Sequence, residues 1–139
     1  MANIYLVSCV SKKKPGPCAA KDIYISHWFK KARAYAENAG DAWYILSAYY
    51  GLLHPDRVVS SYNITLNRMS LRERRAWADG VLRELRQVLR VGDKVVILAG
   101  QRYRQFLEDG IRALGVSVGI PMEGLRIGEQ LRWLNRAIP

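Results

Sequence analysis

The sequence predicts an α/β protein: one three-layer domain over residues 1–139, with a mainly parallel sheet of about four strands and helices on both faces. Three observations carry that expectation. Short apolar, β-branched runs alternate with longer segments whose apolar residues recur at helical spacing. The strand-like runs are apolar on both sides of the pleat, as in strands covered on both faces. The length, 139 residues, suits one core.

Ile4 to Cys9 reads as the first strand and Ser11 to Lys21 as a loop carrying Lys12, Lys13 and Lys14. Ser26 is placed to cap a helix that buries Trp28, Ala32, Tyr35 and Ala36 and ends at Gly40. Trp43 to Ser47 is the second strand. A long, aromatic, non-periodic connection then runs to Leu66. Loops of about 12–15 residues or more are uncommon in compact domains unless they serve a function. Ser70-Leu-Arg-Glu73 has the pattern of a capping box. It opens a helix with Trp77, Val81, Leu85 and Val88 on its apolar face. Lys94 to Ala99 is the third strand, Tyr103 to Leu114 a helix, and Val116 to Ile120 the fourth strand. Ile127, Leu131, Leu134 and Ile138 mark a last helix.

The charge bears on function. Twenty-two Lys and Arg stand against 12 Asp and Glu, a net +10. Such an excess points to a polyanionic partner, nucleic acid first (DNA before RNA) or a nucleotide, with an acidic membrane surface second. The partner expected is nucleic acid or a nucleotide and no membrane, the apolar run at the start being far too short to span one. Two cysteines without a CxxC pattern indicate no disulfide framework, and with no signal-peptide pattern they place the protein in the cytoplasm. No metal-ligand spacing and no Walker glycine pattern is present, so neither a metal nor another cofactor is expected.

In open parallel sheets the ligand crevice lies at the carboxyl ends of the strands. The candidate site residues follow those ends. Lys12 and Lys13 would hold phosphate. Ser47, Tyr50, Gly51 and Tyr62 would line a pocket with Gln101 and Tyr103, the tyrosines stacking on a base. Asp56, Asp22 and Glu129 are the candidate catalytic acids, for water activation or for stabilising a cationic sugar-like state. Each acid also fits a structural role: a turn at Asp56, a turn or cap at Asp22, a helix first turn at Glu129. Arg72, Arg75, Arg83 and Arg86 form a basic stripe suited to a phosphate backbone, or simply a solvated face.

The segments LVSCVSKKK, KDIYISHWFKKARAYAE, WYILSAYYGLLHPDRVVSSYNITL and GLRIGEQLRWL resemble the small bacterial and phage domains of unknown function related to YaaA. The resemblance to YaaA itself is confined to the first half, through Ser47, Tyr50, Gly51, Leu52, Pro55, Asp56 and Tyr62. It implies an α/β fold with a cleft suited to base chemistry and an association with DNA and peroxide stress. This chain is too short to hold the helix-hairpin-helix insertion of YaaA. The function expected is nucleic-acid- or nucleobase-directed: a base-processing enzyme, glycosylase-like or base-exchanging. The alternatives are a non-catalytic DNA- or RNA-binding module and an enzyme acting on free nucleotides.

Overall fold

The computed structural model describes residues 1–8 and 13–138. Its principal sheet has five strands in the order β4-β3-β1-β6-β7. These are β1 (Asn3–Ser8), β3 (Ala42–Ser47), β4 (Gly51–Leu53), β6 (Lys94–Leu98) and β7 (Ser117–Gly119). All neighbours are parallel except β3 and β4. A two-stranded antiparallel ribbon joins β2 (Cys18–Ala19) to β5 (Val58–Val59). The helices are α1 (Ala20–Ile23), α2 (His27–Ala39), α3 (Leu71–Val88), α4 (Gln101–Arg104), α5 (Glu108–Arg112) and α6 (Ile127–Ala137), with a 3₁₀ turn at Leu66–Arg68.

Strand β1 sits mid-sheet, in register Ile4 to Ala42 on one side and Ile4 to Val95 on the other. Its pleat divides the core. Tyr5 and Val7 join an apolar cluster with Phe29, Ala32 and Ala36 of α2 and Leu134 of α6. Ile4 and Leu6 join a second cluster with Ala78, Val81 and Leu85 of α3 and Ile111 of α5. Alternation of side chains across the pleat is what lets one strand serve two clusters.

The helix caps are as the sequence predicts. Ser26 Oγ accepts from the Phe29 amide at 3.1 Å. Ser70 and Glu73 form the reciprocal capping box, at 3.1 Å and 3.0 Å. Other expectations are corrected. The sheet has five strands, because Gly51, at φ 74°, turns the chain back after β3 and creates the antiparallel edge strand β4. The single helix expected over Tyr103 to Leu114 is two short ones. The Leu107 amide donates to the Arg104 carbonyl three residues back, a tightened turn between α4 and α5. On α2 the buried aromatic residue is Phe29, and Trp28 and Tyr35 are half-buried. On α3, Val88 is exposed and Arg74 takes a buried position instead. Ile127 is exposed at the start of α6.

The long connection after β3 is ordered by pairing with the loop after β1. Besides the β2–β5 ribbon, the Ala20 amide donates to the Arg57 carbonyl and the Lys21 amide to the Pro55 carbonyl. Lys13 bridges to Tyr24. The loops after β1 and β3 thus brace each other. The parallel strands run β3-β1-β6-β7 in space, so the chain reverses direction about β1. That reversal defines a topological switch point at the carboxyl ends of β1 and β6.

Candidate functional site at the carboxyl edge

Ser47, the last residue of β3, is fully buried. Its Oγ accepts from the amides of Tyr49 at 3.3 Å and Tyr50 at 3.0 Å. With its lone pairs engaged, the hydroxyl donates to the Tyr62 hydroxyl at 3.1 Å. The Tyr62 hydroxyl lies 2.9 Å from that of Tyr24, which is buried. A chain of three hydroxyls therefore runs from the end of β3 across both strand-end loops. The Ser47 carbonyl accepts from the Trp77 indole at 2.8 Å, tying the same point to α3.

Aromatic rings surround this chain. Tyr49 stacks on Tyr62 with centroids 5.8 Å apart and planes at 22°. Tyr50 meets both rings edge-on. The Tyr50 hydroxyl accepts from the Ser60 amide and donates to the Ser60 carbonyl, each at 3.2 Å, which sets the ring across the loop. The Lys13 ammonium lies 4.3 Å from the Tyr62 ring centroid, and the Arg57 guanidinium 5.1 Å from that of Tyr50. Both are cation–π distances. Lys13, Ser61, Tyr62 and Asn63 line a hollow of about 510 Å³. Tyr49 is 60% exposed, the most open of the three rings, while Tyr50 and Tyr62 are half-buried.

The structure brings Lys13, Ser47, Tyr50 and Tyr62 together, with Gly51 at the turn into β4. It does not bring the acids there. Asp56 is exposed and pairs with Lys21 at 2.9 Å. That ammonium holds its carboxyl below the usual carboxylate range. Both lie along a separate hollow with Trp43, Tyr44 and His54. The displacement follows from β4: running antiparallel, it carries the chain back toward the amino half of β3 before Asp56 is reached. Asp22 pairs with Arg33 at 3.0 Å. Glu129 accepts from the Arg126 amide at 2.9 Å as a helix cap. It borders another hollow with Arg132, Trp133 and Arg136. Tyr103 is buried edge-on to Trp77 at 5.7 Å, and Gln101 is exposed in the first turn of α4. Arg72, Arg75, Arg83 and Arg86 are exposed on α3, with Arg75 over the Phe106 ring at 4.6 Å. Lys12 and Cys9 lie outside the described residues.

Two features escape a reading of the sequence. Arg57 reaches Tyr50 only because β5 pairs with β2, and nothing local signals that. Arg74 does carry a signal. It falls on the stripe Arg74, Ala78, Val81 and Leu85, a charged residue on an apolar face. Among the described residues no group of three or more His, Cys, Asp and Glu could hold a metal, and no helix is long and apolar enough to cross a membrane.

Comparison with known proteins gives the chain a family. A family of unknown function, DUF6884, matches residues 4–136. The chain belongs to that family. The uncharacterized protein YfjM of Bacillus subtilis (strain 168) is 29% identical over 152 aligned residues, covering 99% of this chain and 96% of that protein. No solved structure matches at a significant level. Neither the DUF6884 match nor YfjM ties the chain to YaaA specifically.

Proposed function

We propose that the protein binds a ligand carrying both a nucleobase and phosphate, a nucleotide or a nucleic-acid segment with DNA first, at the carboxyl edge of the sheet. The observation that carries this reading is the Lys13 ammonium beside the Tyr62 ring, which lines a hollow and carries the exposed Tyr49 ring stacked on it. Tyr49 is the ring a base would meet first, and Lys13 is the cation for its phosphate. The net +10 and the exposed Arg72, Arg75, Arg83 and Arg86 favour a polyanion over a small neutral ligand. The same reading treats residues 1–139 as one three-layer domain related to the YaaA core and acting in the cytoplasm.

The test is binding of fluorescent oligonucleotides and nucleotides across a salt series. With about five phosphates engaged on duplex DNA, the log–log slope is expected near −4 to −5. Tyr49→Ala should weaken binding by about 1–3 kcal/mol. Absence of binding at low salt, or indifference to salt, would overturn the polyanion reading.

Base processing, glycosylase-like or base-exchanging, is the second reading. The hydroxyl chain from Ser47 through Tyr62 to Tyr24 favours it, because it brings exchangeable protons close to the hollow. The carboxylates Asp22, Asp56 and Glu129 are engaged elsewhere, so a chemical role for them requires those pairs to open. Modified-base oligonucleotides that bind but release no base would leave the binding reading alone.

A further inference from the structure

Arginine is almost never buried unless its charge is paired. Arg74 and Arg104 allow a direct comparison. The Arg104 guanidinium meets two carboxylates, Glu108 at 2.9 Å and Glu123 at 3.1 Å. Arg74 is only 8% exposed, and none of the ion pairs among the described residues includes it. Its Nη1 donates at 2.8 Å to the side-chain carbonyl of Gln105, a neutral acceptor, and its Nε, like that of Arg104, has no partner. Its sequence neighbour Glu73 is committed to the helix cap, accepting from the Ser70 amide. A second cation, Arg75, lies over Phe106, the residue after Gln105. Arg74 is thus a buried charge whose one side-chain acceptor is a neutral amide. That arrangement costs free energy without a compensating anion.

The location gives the charge a use. Arg74 lies one turn before Trp77, whose indole reaches the carboxyl end of β3 and whose ring packs on Tyr103 after β6. It therefore stands on the α3 side of the switch point. Its partner Gln105 is an exposed residue on a flexible stem. A glutamine oxygen is a replaceable acceptor, and an anionic oxygen makes the stronger, charge-assisted bond.

We propose that Arg74 is an anion-binding residue for a phosphoryl group at the carboxyl edge, and that Gln105 covers its guanidinium until the anion displaces it. This subsite stands apart from the tyrosine cluster and holds even if that cluster takes no base. The shared chemistry is a phosphoryl oxygen, from a small phosphorylated molecule or from a nucleic-acid backbone.

The experiment is thermal unfolding in sodium pyrophosphate against sodium chloride at matched ionic strength, for wild type, Arg74→Met and Gln105→Ala. Wild type should melt about 5 °C higher in pyrophosphate at a tenfold excess over the dissociation constant. Arg74→Met should lose that rise and melt no lower than wild type in chloride, since a buried unpaired charge is gone. Gln105→Ala, a change at an exposed site, should melt lower in chloride and show a larger rise, because the competitor for the guanidinium is removed. Equal wild-type midpoints in the two salts overturn the proposal, as does an undiminished rise in Arg74→Met. If Arg74→Met does not fold, the Gln105→Ala rise decides: no increase over wild type overturns the proposal. A single-stranded oligothymidylate that reproduces the rise assigns the phosphoryl group to nucleic acid; one that does not assigns it to a small molecule.

Discussion

The two edges of the sheet are built from different chemistry. At the amino edge, carboxylates hold backbone. Asp93, buried before β6, accepts from the Ala2 and Arg90 amides, each at 2.9 Å. Asp41, before β3, accepts from the Asn3 amide at 2.7 Å. Both neighbours of β1 thus fasten its start by an acid one residue ahead of their own first residue. At the carboxyl edge the corresponding positions carry hydroxyls, tyrosine rings and cations: Ser47, Tyr62, Tyr24, Lys13 and Arg74. A carboxylate accepting from backbone amides is a staple, satisfied within the chain. An arginine on a neutral amide is satisfied less completely and has more to gain from an outside partner. The contrast teaches that the acids with resolved partners serve turns, caps and strand starts.

The largest effect expected from breaking this contrast is at Asp93. In Asp93→Asn one carboxylate oxygen becomes an amide nitrogen facing a backbone N–H, so the midpoint of unfolding should fall more than for any substitution below. Acid carries a second signature. The Ala2 and Arg90 amides hold the Asp93 carboxyl below its usual value. Its contribution is therefore complete above the unfolded value of about 3.9 and is lost as pH falls through the lower folded value. Denaturation curves at pH 7 and pH 3 should show wild type losing stability on acidification and the variant losing less. Equal losses would mean that Asp93 is not the staple.

Next is the carboxyl edge itself. Ser47→Ala leaves the Tyr49 and Tyr50 amides without their Ser47 acceptor and removes the Ser47 donor from the Tyr62 hydroxyl. The expected cost is roughly 1–3 kcal/mol, read by chemical denaturation. A change within a few tenths would show that solvent satisfies those groups and that the edge is more open than the burial of Ser47 indicates. The smallest expected effect is Ser70→Ala, about 1 kcal/mol from loss of the α3 cap, with nucleic-acid affinity unchanged. A loss of affinity at unchanged stability would move the ligand footprint onto the start of α3 and blur the division between staple and site.

The sequence by itself determined the elements whose signals are local. The apolar run at Ile4, the Ser26 cap and the Ser70–Glu73 capping box each lie within one turn or one strand and stand in the structure; of the α3 stripe, Val81 and Leu85 are buried, Trp77 is half-buried and Val88 is exposed. The alternation of those elements was enough to imply a mainly parallel sheet and a site after the strand ends, because a parallel connection must cross back over the sheet. Tertiary structure alone decided the rest. The strands β4, β2 and β5 have two or three residues each, too few for any periodicity, and Cys18 finds Val59 across forty residues of chain. The antiparallel return of β4 is what separates Asp56 from Tyr62, although only five residues lie between them in sequence. The Cys18–Val59 pairing draws together the loops that carry Tyr24 and Tyr62, which lie 38 residues apart. Hydrophobic periodicity reports which face of an element is buried. It carries no information on which polar group waits across the loop, because a hydrogen bond is specified by position in space and not by spacing along the chain.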